Sequence, residues 1–283
     1  MNAPPRHIIL CADDYGLAPG VSGAIRDLVG RGCLNAVSVM VVSPHFNGAA
    51  ATALLGTAAG RAAIGLHVTL TAPFAPAAPD FKPLRDGAFP PLAAMVRRAY
   101  LRALSPDLLM VEMARQCEVF AAAFGRPPDF LDGHQHIQLF PQIREAFLRV
   151  AKQAAPHAWV RQCGRAAPPR RRFADRKALL LDALSHRFRK LAAAHGLRSN
   201  PAFAGTYAFR ADAAYAALFA RFLDRLPEGG VIMCHPGKVD AELRRVDPLT
   251  DLREREYAFF RSDAFPRLLA ERGVALAAAG RMH

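Results

Sequence analysis

Nowhere in this sequence do about 18 apolar residues run uninterrupted, the length a membrane-spanning helix needs. The apolar stretch nearest the start, Ile8-Ile9-Leu10, is too short for the core of a secretory signal, so export is not expected. Cysteine is scarce as well. Five residues, Cys11, Cys33, Cys117, Cys163 and Cys234, with an odd total and no CxxC spacing, read as reduced thiols of a cytoplasm, mostly in the core, rather than as a disulfide framework or a thiolate metal site. No Gly/Ser-rich linker, low-complexity tract or internal repeat divides the chain, which leaves one domain over residues 1–283 as the simplest organisation.

What is present is core-like: 52% of the residues are apolar and 22% are charged, a balance that excludes disorder. Acidic residues are outnumbered 24 to 37 by Lys and Arg, for a formal charge of +13. The excess is concentrated. Between Arg161 and Arg198 eleven Lys and Arg stand against two acids, a net +9, so a basic patch rather than a basic protein needs explaining. Within it Leu180, Leu181, Leu184, Phe188 and Leu191 recur at helical spacing, which predicts a basic amphipathic helix. Its stripe either joins the core or meets an anionic membrane surface. Nucleic-acid binding is the weaker partner reading, because only Phe173 and Phe188 interleave with the basic residues.

Eight short apolar runs read as strands: Ile8 to Cys11, Ala36 to Val42, Ala63 to Val68, Phe130 to Leu131, Trp159 to Val160, Ala204 to Thr206, Val231 to Cys234 and Val274 to Ala277. Helical patterns lie between them, at Val21 to Arg31, Pro106 to Phe124, Pro141 to Gln153, Arg176 to His195, Ala211 to Leu226 and Asp263 to Arg272. This alternation predicts an α/β fold with parallel strands, and the number of units favours a closed or partly closed (β/α) barrel. Residues 73–91 and 164–175 read as long loops, which in compact domains often cover sites.

In such a barrel, side chains at the carboxyl ends of the strands share one mouth. Asp13 and Asp14 leave the first strand together, so one can bind a metal while its neighbour acts as a base on bound water. His67 ends the third run. His134 and His136 sit two apart after Leu131, so that in a strand both point to one face. His235 follows Val231 to Cys234 and is placed to offer a proton at the same mouth. Tyr15, directly after the acid pair, is a candidate to touch the substrate or to orient the ligands, and His45, in the loop after the second strand, is a candidate at the rim.

Taken together, Ala12-Asp13-Asp14-Tyr15-Gly16, Gly65-Leu66-His67, Asp132-Gly133-His134-Gln135-His136 and Met233-Cys234-His235-Pro236-Gly237 resemble the YdjC-like (chitooligosaccharide deacetylase) family. The stretch Asn200 to Tyr207 is similar to the branch associated with hopanoid biosynthesis. The resemblance implies a distorted (β/α) barrel hydrolase, of the deacetylase and glycoside-hydrolase type, that removes acetate from an N-acetylated amino sugar with one divalent metal. On the matching positions it makes Asp14, His67 and His134 the metal ligands, Asp13 the general base and His235 the general acid, with His136 beside the metal or the substrate. The branch implies an N-acetylglucosaminyl-bacteriohopanetetrol substrate, met by a cytoplasmic enzyme at the inner face of an anionic membrane. A soluble chitooligosaccharide is the alternative substrate.

The sequence departs from the family at two places: Cys11 stands where many members have Asn, and Gln138 where many have a further His. Neither touches a proposed ligand, but both bear on the groups that orient the ligands. Two His and one Asp suit Zn, Mn or Co, and an open site with waters also admits Mg. The same set on iron suits a non-haem oxygenase, a different class of enzyme that would consume oxygen.

Overall fold

A computed structural model of the chain describes residues 4–166, 176–207 and 214–278. Most of the basic loop expected at 164–175, and the beginning of the helix expected from Ala211, lie outside these residues.

The chain begins with β1 (Arg6–Tyr15), α1 (Pro19–Gly30), β2 (Ala36–Val39), α2 (Gly48–Ala58) and β3 (Ala63–Val68). Two helices follow, α3 (Leu92–Tyr100) and α4 (Pro106–Phe124), then β4 (Phe130–Gly133), a 3₁₀ turn (His134–Leu139), α5 (Ile143–Ala154) and β5 (Trp159–Val160). The last third holds α6 (Arg176–Ala194), β6 (Phe203–Ala204), α7 (Tyr215–Leu223), β7 (Val231–Cys234), three helices α8 (Ala241–Val246), α9 (Asp251–Arg261) and α10 (Ala264–Glu271), and β8 (Val274–Leu276).

The strands form one parallel sheet in the order β5-β4-β3-β2-β1-β7-β6, with β8 paired to the amino-terminal half of β1. Central strands carry near-continuous apolar runs because both faces are covered, and Ile8, Leu10, Cys11 and Ala12 are fully buried. The sheet curls until its outer strands β5 and β6 nearly meet. Asn200 fills the remaining gap: its side chain accepts from the Gln162 N–H at 2.9 Å and donates to the Gln162 carbonyl at 3.0 Å, much as a strand backbone would. The Phe203 N–H reaches the Gly164 carbonyl at 2.9 Å. The expected parallel (β/α) barrel is therefore formed, partly closed.

Helix ends follow local chemistry. Ser105 accepts from the Leu108 N–H, Pro106 opens α4, and Gly125 closes it in the left-handed region at φ 68°. The apolar stripe of α6 turns inward: Leu181, Leu184 and Phe188 are buried, and the Phe188 ring lies 5.9 Å from that of Phe147 on α5. Gly65 of β3 marks a close approach, since a Cβ there would fall 2.4 Å from the Phe130 ring, which stacks on Trp159. That contact sets the spacing of β3 and β4, and β3 carries His67 two residues on. Among the described residues no helix is long and apolar enough to cross a membrane.

Candidate active site

At the carboxyl end of β1 the pairing register shifts between Ala12 and Tyr15, and Asp14 takes a left-handed backbone, φ 68°. In a regular strand neighbours point to opposite faces. The left-handed residue breaks that alternation, and both Asp13 and Asp14 line one cavity of about 380 Å³ together with His67, His134 and His235. The long loop after β3 adds Pro73 and Phe74 to its wall, and the Phe74 ring meets His134 edge-on.

Asp14 stands at the centre. Its Oδ1 lies 3.1 Å from His134 Nδ1 and 3.4 Å from His67 Nε2, and its Oδ2 accepts from Arg253 Nη2 at 2.6 Å. Burial acts to raise the Asp14 pKa, but Arg253 and the two imidazoles outweigh it and hold the carboxyl well below its usual range. His67 is anchored from behind, its Nδ1 2.6 Å from Asp132 Oδ1, which also accepts from the Ser38 hydroxyl. Burial pushes the His67 imidazole down, yet the carboxylates of Asp132 and Asp13 prevail and lift it to about 10.

Asp13 is fixed by Arg161 through a two-pronged pair, both N–O distances 2.8 Å. Arg161, fully buried, also pairs with Asp132. One guanidinium thus joins Asp13 to the carboxylate that orients His67. The Cys11 thiol donates to Asp13 Oδ1 at 3.6 Å.

The donor set fits a divalent cation. One carboxylate oxygen and one nitrogen from each of two imidazoles lie within 4.8 Å of one another at Asp14, His67 and His134. With Nδ1 of His67 committed to Asp132, its Nε2 faces Asp14, where a cation would take the place of a shared proton. A second trio, Cys11, Asp13 and Asp132, is equally compact, but the Arg161 guanidinium already neutralises its carboxylates.

Three expectations change. The chain leaves the β4 ladder at Gly133, and Gln135 and His136 adopt left-handed conformations at φ 55° and 60°, so His134 and His136 do not share a strand face. His136 lines the cavity from another side, its Nδ1 3.4 Å from the Cys163 sulfur and its ring edge-on to Phe203. Tyr15 is turned away altogether: its hydroxyl donates to the Ala50 carbonyl at 2.7 Å and accepts from Arg26, in the layer between sheet and helices. His45 is not among the cavity-lining residues, and its Nε2 faces Glu242 at 3.5 Å. Gln138, where many family members have His, is buried and donates to the Arg161 carbonyl.

Sequence reasoning missed Arg161, Asp132, Glu256 and Arg253. Arg161 directly follows the Trp159-Val160 run, so the strand-end rule that found the histidines would have found it. Glu256, on α9, accepts from the His235 backbone N–H and, at 2.7 Å, from the Tyr207 hydroxyl; burial raises its pKa. Neither it nor Arg253 had a local signal, because α9 reads as a polar surface helix.

The site can be set beside known proteins. The chain is 30% identical over 251 residues to a chitooligosaccharide deacetylase of Serratia marcescens, covering 83% of each chain. It is 28% identical over 285 residues to a chitooligosaccharide deacetylase of Escherichia fergusonii, covering 96% of this chain and 97% of that one. In structure it matches a putative cellobiose-phosphate cleavage protein from Enterococcus faecalis with a TM-score of 0.76 at 21% identity, over 97% of both chains, a likeness of fold. The model of the YdjC-like protein family matches residues 7–271, and the chain belongs to that family.

Proposed function

We propose that the protein is a divalent-metal-dependent carbohydrate N-deacetylase, and that its substrate is an N-acetylglucosaminyl group on a lipid of the bacteriohopanetetrol type. The observation that carries the reaction is the convergence of Asp14, His67 and His134 beside the separately anchored Asp13 in one cavity. The relatives' name, chitooligosaccharide deacetylase, supports the choice of an N-acetylated amino sugar.

An amide needs a stronger nucleophile, a stabilised oxyanion and a proton for its departing nitrogen. A divalent ion held by Asp14, His67 and His134 would supply Lewis acidity toward the acetyl oxygen and a lower pKa for bound water. Asp13, oriented by Arg161, takes the proton of the attacking water as the new C–O bond forms. His235, on the same cavity, gives a proton to the nitrogen as the C–N bond breaks. Acetate and a free amino sugar result.

The lipid part of the reading is supported by the apolar residues Leu92, Phe140, Leu180 and Leu181, which line the same cavity as the candidate ligands. The similarity of Asn200 to Tyr207 to the hopanoid branch agrees with it. The test is acetate release by zinc- or manganese-loaded protein from an N-acetylglucosaminyl hopanoid and from chitobiose. Release from the lipid, abolished by chelation and restored by metal without oxygen uptake, is expected. Release from chitobiose alone would keep the reaction and discard the lipid.

A lipid-linked substrate places the enzyme at a membrane surface, and the net +9 between Arg161 and Arg198 suits an anionic one, at about 1 kcal/mol per nearby basic residue. Replacing Arg170, Arg171 and Arg172 by Glu is expected to abolish co-sedimentation with phosphatidylglycerol vesicles. Equal sedimentation of variant and wild type would remove the membrane from the proposal.

A further inference from the structure

Helix α9 reaches the candidate site from outside the sheet and delivers one buried cation to it. Arg253 is 2% exposed. Its Nη2 donates to Asp14 Oδ2 at 2.6 Å and also to Asp247, while its Nε donates to Asp247 Oδ2 and to the Leu249 carbonyl, each at 3.1 Å. Gly237 makes room for the stem: a Cβ there would sit 3.3 Å from Arg253 Cβ and 3.4 Å from Cδ. The backbone closes the same contact, the Gly237 N–H donating to the Arg253 carbonyl at 3.1 Å. Asp247 and the Leu249 carbonyl therefore hold the guanidinium, and Gly237 its stem, where it meets Asp14.

Asp14 needs such a hold. Its two oxygens do different work: Oδ1 faces the two imidazoles, and Oδ2 faces Arg253. A carboxylate without the second partner can rotate about its Cβ–Cγ bond or turn both oxygens to a cation. A charge-assisted bond to one oxygen removes that freedom and leaves a single oxygen on the ligand side. General stability is a poor explanation for this arginine, because among the described residues its buried Nη1 has no hydrogen-bond partner, a cost that an apolar side chain would avoid.

We infer that Arg253, braced by Asp247, is a positioning residue that fixes Asp14 as a one-oxygen ligand and thereby sets the affinity and geometry of the metal site. The inference rests on Asp14, His67 and His134 being the metal ligands. Removing the positive charge of Arg253 acts on its own in the opposite direction, favouring a cation electrostatically. The positioning role therefore requires that affinity fall when the charge is removed, and that Lys, which keeps the charge but offers one nitrogen in place of the fork, restore it incompletely.

The test uses the full-length protein stripped of metal, titrated calorimetrically with Zn²⁺ and followed by the visible absorption of bound Co²⁺. Arg253→Met is expected to weaken Zn²⁺ binding by about 10- to 100-fold, the range for partners that orient metal ligands, and to change the Co²⁺ spectrum. Arg253→Lys should fall between Met and wild type. Asp247→Asn, which leaves the Arg253–Asp14 contact without its brace, should shift both readouts in the same direction by less. If Arg253→Met does not fold, the Lys and Asn variants carry the test. Unchanged or tighter Zn²⁺ binding with a wild-type Co²⁺ spectrum overturns the inference alone. Failure of the wild type to bind either ion overturns the metal reading and this inference with it. Normal loading with no acetate release from any amino sugar would instead sink the proposed reaction and leave Arg253 as assigned.

Discussion

Asp13→Asn is expected to lower kcat for acetate release by about a thousandfold while leaving the metal in place, within the range of 10² to 10⁴ typical of a lost general base. The amide is nearly the same shape but cannot take a proton from attacking water. The candidate ligands Asp14, His67 and His134 are separate side chains, so metal content should be unchanged. Arg161 keeps its pairing with Asp132, so the orientation of His67 should survive as well. Steady-state kinetics with metal analysis on the same sample separates the roles: activity lost with full metal occupancy marks a base, whereas loss of both marks a ligand. A variant that retains a tenth or more of wild-type kcat would remove Asp13 from the proton-transfer step.

The residues legible in the sequence share one property. Asp13, Asp14, His67, His134 and His235 each follow a short apolar run, and in a parallel barrel such positions converge whatever the distance along the chain. The misread residues are those where the backbone leaves its periodic path. Strand alternation would set His136 on the face of His134, but it ends at Gly133, where two left-handed residues follow. Tyr15 comes after the left-handed Asp14, and the same reversal that brings both carboxylates to the mouth sends its ring to the helix layer. Four helices, α2, α3, α8 and α9, fall outside the expected helical stretches, two of them for opposite reasons: Gly48–Ala58 is too rich in Ala to show a polar face, and Asp251–Arg261 too rich in charge to show an apolar one. Yet α9 carries Arg253 and Glu256 to the site, contacts set by the docking of a helix against strand ends and invisible to local pattern.

Arg161→Met is expected to cost about 3–5 kcal/mol of folding stability, the usual price of removing one partner from a buried ion pair. The side chain is fully buried between Asp13 and Asp132, themselves 2% and 0% exposed. Methionine fills similar volume but leaves both carboxylates without their cation, Asp132 with only His67 and Ser38, and Asp13 with the weak thiol donor of Cys11. Urea unfolding should show a large fall in midpoint, and adding Asp13→Asn to Arg161→Met should recover part of it, because one of the stranded charges is then gone. A single-variant loss under about 1 kcal/mol would mean that the network does not hold the site together. The pH dependence has a definite sign. Burial raises the Asp132 pKa, but Arg161 and His67 bring it below the usual carboxylate range, so its contribution is present above about pH 4 and is lost as pH falls through the depressed value. The stability gap between wild type and Arg161→Met should therefore be full near neutral pH and close as pH falls through the carboxylate range, since protonation first relieves the stranded charge in the variant and then removes the paired charge from the wild type.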